Sequence, residues 1–204
     1  MKFPTWVRVA AVVWLAVWIP AYWKIFGWQN FVHYCDIALI LTCAGIFLDD
    51  ALLISSQAVA TLLPDALWIV DAASGLLFRR HVFGGTEYLW DPQYPAWVRM
   101  LSLYHVVMPV VILLAVRQTG YDRRGWRLQS GIAAAALLAA RWTVPALNIN
   151  YAFTDPLFHR AWGPPPVHLL AMFAGIVVVI YLPTHFVLQK YFPEPGITAA
   201  KVKN

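Results

Sequence analysis

The sequence predicts an all-α protein, a polytopic transmembrane bundle of about six helices with short loops, forming one integral membrane domain over residues 1–204. Three observations carry that prediction. Hydrophobic residues make up 61% of the chain and charged residues only 12%, about half the charged share of a soluble domain. Apolar stretches near the length of about 20 residues that a spanning helix needs fill most of the 204 positions. Lys and Arg divide unevenly between alternate loops, which is how membrane proteins set their orientation.

The elements follow in order. A first helix is expected over 9–27, with Pro20 inside it; neighbours in a bundle re-satisfy the carbonyl that a proline frees. Lys2 and Arg8 precede this run, but no small-residue cleavage site follows it, so it reads as a retained helix rather than a signal peptide. A second helix covers 31–48 and stops at Asp49-Asp50. A third covers 51–78, long enough to be tilted or broken at Pro64-Asp65; a short interfacial helix followed by a shorter span is the alternative. A polar, aromatic loop spans 79–99. A fourth helix covers 100–116, a basic loop 117–127, and an alanine-rich fifth helix 130–147, whose small side chains suit close packing. The loop 148–166 ends in Pro164-Pro165-Pro166. A sixth helix covers 167–188, and a short basic tail closes the chain.

One side of the bundle collects Lys2, Arg8, Arg117, Arg123, Arg124, Arg127, Lys190, Lys201 and Lys203, nine cations. The other collects Lys24, Arg79, Arg80, Arg99 and Arg160, five cations. The excess places both termini in the cytoplasm and the chain in a cell inner membrane as a multi-pass protein. The net charge of +5 reflects this bias; no basic stripe runs along a polar helix face, so no nucleic-acid partner is expected. Cys35 and Cys43 are eight residues apart in one helix, roughly 12 Å by helix rise, too far for a disulfide.

The polar residues inside these stretches sit near one end. Asn30, His33 and Asp36 open the second helix at spacing i, i+3, i+6, an arc of about 120° on one face. Asp71 lies about seven residues from the same end of the third helix. Tyr104 and His105 lie about five residues into the fourth. Arg141 is roughly six residues from that end of the fifth, Asn148 and Asn150 cap it, and His168 opens the sixth. A charge in hydrocarbon costs several kcal/mol and is rarely kept without a partner or a function. The partners expected for Asp36 and Asp71 are His33, His105, Arg141 and water.

Two readings compete. In the plainer one, polar residues only glue helices together, with Asp36–Arg141 as a buried ion pair. In the sharper one, the layer is a pocket. His105, Asp36, Asp71 and His33 are then its catalytic candidates, and Asn30, Tyr104, Arg141, Asn148 and Asn150 hold the substrate. His33, Asp36, His105 and Asp71 offer nitrogen and oxygen ligands, but no H-E-x-x-H spacing occurs, so no metal is expected, and the sequence leaves any cofactor open. Cys35 as a nucleophile with His105 as its base is a further arrangement. Arg123-Arg124 are of the type that clamps an anionic head group, or are ordinary positive-inside charge.

WQNFVHYCDIALILT at 28–42, RMLSLYHVVMPVVIL at 99–113 and TGYDRRGW at 119–126 together resemble an uncharacterised group of bacterial polytopic membrane proteins. An early helix with Thr42 or Cys43 and a later one with His105 also resembles six-helix membrane-embedded lipid hydrolases and acyltransferases, which use a Thr–His or Cys–His pair. By helix rise Thr42 lies about 9 Å deeper than His105, so the site is read from the other residues. The expected function is acid–base chemistry on a lipid-like or small amphipathic substrate. The alternatives are a small-molecule binding or transport protein and a structural or assembly subunit. The expected partners are membrane lipids and other membrane protein subunits.

Overall fold

The computed structural model describes residues 2–196; of the expected basic tail, Lys201 and Lys203 lie outside them. Among the described residues the chain is all helical, without strands. Six helices carry the fold: α1 Thr5–Phe26, α2 Tyr34–Leu48, α3 Ala51–Phe78, α4 Ala96–Thr119, α5 Gly125–Ala140 and α6 Pro165–Tyr191. Four of them, α1, α3, α4 and α6, are long and apolar enough to cross a membrane. Helices α2 and α5, with 15 and 16 residues, are shorter than the sequence suggests.

Local chemistry sets the ends. Gly27, at φ 76°, stops α1, and a 3-10 turn over Trp28–Val32 leads into α2. Asp49, in the left-handed region at φ 57°, ends α2. Asp50 then caps α3 by accepting from the Leu53 amide at 2.9 Å, the usual service of an N-cap carboxylate. Helix α3 runs unbroken through Pro64 for 28 residues, about 42 Å by helix rise. The alternative of a short interfacial helix plus a shorter span is therefore wrong.

Helix α4 starts after Pro95, four residues earlier than expected, and loosens at Ser102 and Leu103 between the segments Ala96–Leu101 and Tyr104–Thr119. Helix α5 begins at Gly125 and stops at Ala140, not near Leu147. The residue before a proline avoids helical backbone, and Pro145 enforces that on Val144, which is extended. Pro165 and Pro166 start α6, where their missing amides cost nothing. A π-helical stretch over Val177–Tyr181 precedes Pro183, widening the helix where the proline interrupts the hydrogen-bond ladder.

Helix α3 is the central post. It packs against α2, α4, α5 and α6, while α1 closes the outside against α2 and the start of α4. Every residue from Ile54 to Thr61 is buried. Small side chains allow this. A Cβ on Gly125 would lie 2.8 Å from the Ser55 carbonyl carbon, so only glycine lets α5 approach the α3 backbone there. The outer faces are apolar, with Val9, Val13 and Val17 exposed on α1 and Val106, Val110 and Leu114 exposed on α4. That surface is compatible with a membrane-embedded protein.

One end of the bundle gathers residues 2–4, the α2–α3 corner, the α4–α5 loop and residues 192–196. There Asp49 accepts from the Phe3 amide at 2.6 Å and pairs with Arg8, while the Tyr121 amide donates to Pro193 at 2.8 Å. This is the terminal end. The other, the loop end, gathers 27–33, 79–95 and 141–164.

Gly125→Ala is expected to destabilise the fold by about 1–3 kcal/mol through overpacking. Gly131→Ala, which meets nothing within 4 Å, should be neutral or slightly stabilising. Thermal midpoints in detergent compare the two. The Phe3 amide, helped by Arg8, holds the Asp49 carboxyl below the usual carboxylate range. Its contribution is therefore complete above an ordinary carboxylate pKa of about 3.9 and disappears as pH falls through the lower folded-state value. Asp49→Asn should flatten the acid limb of stability in that window, as read by circular dichroism against pH.

Candidate functional site

Asp65 lies midway along α3 and is 2% exposed. Its Oδ1 lies 2.7 Å from Nδ1 of His105 on α4. The His105 ring is stacked between Trp68, with centroids 4.8 Å apart, and Tyr104, with centroids 4.2 Å apart. Trp68 follows Asp65 by three residues, so one face of α3 supplies both the carboxylate and one aromatic wall. With Asp65 ionised, His105 donates its Nδ1 hydrogen and presents Nε2 as a lone pair. Nε2 makes no hydrogen bond among the described residues, and the side chain keeps 8% of its exposure.

Tyr104 joins this pair to a second carboxylate. Its hydroxyl donates to Asp36 Oδ1 at 3.0 Å. Asp36 is 2% exposed in the first turn of α2, where the helix dipole favours negative charge. Asn30 donates its side-chain amide to Asp36 Oδ2, and the Cys35 Sγ lies 3.8 Å from Oδ1. Trp18, fully buried, closes the far side of Tyr104 edge-on at 5.9 Å. Asn30, Asp36, Tyr104, His105 and Asp65 thus form one chain of contacts across α2, α3 and α4. Beside it, the Tyr88 hydroxyl from the 79–95 loop lies within charge range of Asp36, and burial pushes its pKa up to about 12.

His33 sits where the 3-10 turn meets α2, and its Nδ1 is sealed from solvent with no partner. Asn150 grips the chain on both sides of it. Asn150 Oδ1 accepts from the Tyr34 amide at 3.0 Å, and its Nδ2 donates to the Val32 carbonyl at 2.8 Å. Asn30 is on that 3-10 turn rather than on a helix continuous with Asp36, yet it still reaches the carboxylate.

Several expectations need correction. Asp36 does not pair with Arg141: Arg141 caps the end of α5, donates to the Ala152 carbonyl at 3.1 Å and lies over the Phe153 ring at 4.2 Å. Asp71 is not part of the Asp36–His105 cluster. It ties down the 79–95 loop by accepting from the amides of Phe83 and Gly84 and the hydroxyl of Thr86, with His81 Nδ1 3.1 Å away. A groove lined by Ser74, Phe78, Arg80, His81 and Val82 lies beside that anchor and does not include His105. Asn148 and Asn150 do not cap α5. Both have positive φ in the turns after Pro145, and Asn148 organises its own loop through the Phe153 and Thr154 amides. His168 does the same in the neighbouring turn, bonding the Tyr151 carbonyl through Nε2 at 2.9 Å. His105 bonds Asp65, with neither Thr42 nor Cys43 hydrogen-bonded to it.

Asp65 and Trp68 are the residues that the sequence reading missed. Pro64-Asp65 was visible as a helix irregularity, but an acid in the middle of a 28-residue apolar helix is itself a signal. With α4 starting at Ala96, His105 lies nine residues deep, closer to the level of Asp65. Among the described residues no group of three or more His, Cys, Asp or Glu is placed to hold a metal ion.

Fold and geometry together define a class: a helical bundle, compatible with membrane embedding, that buries a carboxylate–imidazole pair midway along its central helix. No family model, curated protein or solved structure matches the chain.

Asn150→Ala removes two hydrogen bonds from the backbone around His33, at about 1 kcal/mol each. It should speed hydrogen exchange at the Tyr34 amide. Asn148→Ala should loosen Phe153 and Thr154 and leave Tyr34 protected; exchange measured by mass spectrometry separates the two.

Proposed function

We propose that this protein is a multi-pass inner-membrane enzyme with both termini cytoplasmic. It carries out acid–base chemistry on a lipid-like or small amphipathic substrate that enters from the non-cytoplasmic leaflet. Lipid surrounds the bundle, and further membrane subunits are the alternative cover for its exposed Trp6 and Trp142. The observation that carries the reading is the 2.7 Å contact between Asp65 and His105 in a buried aromatic slot.

A carboxylate that holds Nδ1 fixes the tautomer and leaves Nε2 as the proton acceptor, the arrangement general acid–base catalysis requires. His105 is the acid–base residue and Asp65 its positioning residue. Tyr104 and Asp36, with Asn30, offer a donor and acceptors for the polar part of a substrate, and His33 brings an unpartnered nitrogen to the same region. Asn150 acts through the backbone at His33. Arg141, Asn148 and Asp71 shape the surrounding loops. A helix pair that needed only polar glue would be served by a neutral hydrogen bond; burying a carboxylate against an imidazole costs several kcal/mol of desolvation per ion.

The test is reconstitution into vesicles of phosphatidylethanolamine and phosphatidylglycerol, with mass spectrometry of the lipid products. Wild type should generate a new product, His105→Asn should abolish it, and Asp65→Asn should slow it about 10²- to 10⁴-fold. Product formation by His105→Asn at the wild-type rate would overturn the assignment. So would wild-type protein that leaves these lipids unchanged.

A further inference from the structure

At the terminal end, far from His105, the acids are already engaged. Asp49 pairs with Arg8 and the Phe3 amide. Asp50 caps α3. Asp122 pairs with Arg124 at 2.8 Å, and Glu194 with Arg123 at 2.7 Å. Among the described cations there, Lys2, Arg117, Arg127 and Lys190 are left without an acid. Arg127 lies over the Trp126 ring and Lys190 over the Tyr191 ring. Arg117 has neither an acid nor an aromatic face among the described residues.

Arg117 sits in the last turn of α4 and lines an open groove of about 500 Å³ between α4 and the end of α6. Leu113, Leu114, Tyr191, Phe192 and Pro193 line the rest of it. Leu114 is 60% exposed and Tyr191 69% exposed, so the apolar wall opens outward from the bundle. The groove therefore combines an apolar wall with one guanidinium that has no acid partner among the described residues. An acyl chain fits the first and a phosphate the second, because a guanidinium forks onto phosphate oxygens. A basic pocket between spanning helices at the membrane surface is a recurrent head-group site.

We infer that the α4–α6 groove holds an anionic phospholipid, with its phosphate on Arg117 and one acyl chain along Leu113 and Leu114. The site is separate from the acid–imidazole cluster: Arg117 lies twelve residues beyond His105 along α4, about 18 Å by helix rise. Its occupant binds without being transformed, so the inference stands or falls independently of the proposed enzyme.

The probe is dioleoyl phosphatidylglycerol titrated into the full-length protein in neutral detergent. Dioleoyl phosphatidylcholine and soluble glycerol 3-phosphate run in parallel arms, with thermal midpoint and native mass spectrometry as readouts. Phosphatidylglycerol should raise the midpoint and remain bound in the gas phase, and the other two should do neither. Arg117→Gln should weaken the apparent affinity about fivefold, the effect of one basic residue at an anionic surface. Arg117→Lys should retain part of it, and Arg127→Gln should match wild type. Leu114→Asn, which keeps the guanidinium, should also weaken binding. Undiminished affinity in Arg117→Gln overturns the inference, as does an equal loss in Arg127→Gln. An equal shift from glycerol 3-phosphate would identify a soluble-phosphate site and overturn the lipid assignment.

Discussion

The structure depends on burying the first half of α3, from Ile54 to Thr61, on all sides. A helix segment in the middle of a bundle must be apolar or small around its whole circumference, and this stretch meets that demand with Ser55, Ser56, Ala58 and Ala60 among its buried residues. Gly125 of α5 meets Ser55 and Ser56 at backbone distance, and Gly45 of α2 makes room for Ile54. The same constraint raises the cost of every polar group that α3 carries. Ser56 and Thr61 return their hydroxyls to α3's own carbonyls, at Leu53 and Gln57, so they need nothing from their neighbours. Asp65 has no such local solution and must be met by another helix. His105 therefore fixes the register of α4 against α3.

That pairing is also why the cluster has the shape it does. A carboxylate and an imidazole brought together in a low-dielectric interior gain strength from each other but lose hydration. The stacked rings of Trp68 and Tyr104 cover the imidazole faces and force its polar contacts into the ring plane. In that plane Nδ1 is committed to Asp65, and the remaining direction belongs to Nε2. Tyr104 serves twice, through its ring on His105 and through its hydroxyl on Asp36. A shift of α2 that moved Asp36 would be felt at His105 through one side chain.

Hydropathy made the fold legible, and the bounds of α3 agree residue for residue because its ends are chemically marked: Asp50 caps the start, and the run becomes polar at Arg79. The fifth helix was misplaced because an alanine-rich run has no such markers, and Pro145, which stops it, lay inside the expected range. The polar layer was legible as a group of residues but not as contacts. Asp36, Tyr104, Asn30 and His105 do meet, since they share a level on adjacent helices. Asp71, Arg141 and Asn148 face loops whose course no helical periodicity describes. Their partners are mostly backbone amides and carbonyls, which sequence does not distinguish. Asp65 stood out only as part of the possible break at Pro64-Asp65, and the start of α4 at Ala96 rather than 100 is what brings His105 closer to its level.

The two ends of the bundle solve different problems. At the terminal end, corners are tight and charges pair side chain to side chain, as in Arg8–Asp49 and Arg124–Asp122. At the loop end the connections are long, and single polar side chains hold them by their backbone: Asp71 for 83–86, Asn148 for 153–154, Asp155 for 157–160 and Asn150 for 32–34. Each anchor removes several unsatisfied amides or carbonyls at once, which an irregular segment near hydrocarbon must achieve. The consequence falls on His33. It follows a 3-10 turn, a weaker element than a helix, yet its flanks are clamped by Asn150 from a loop more than a hundred residues away in sequence. The tie holds both flanks of His33 to the 141–164 segment and so fixes where α2 begins relative to the loop end.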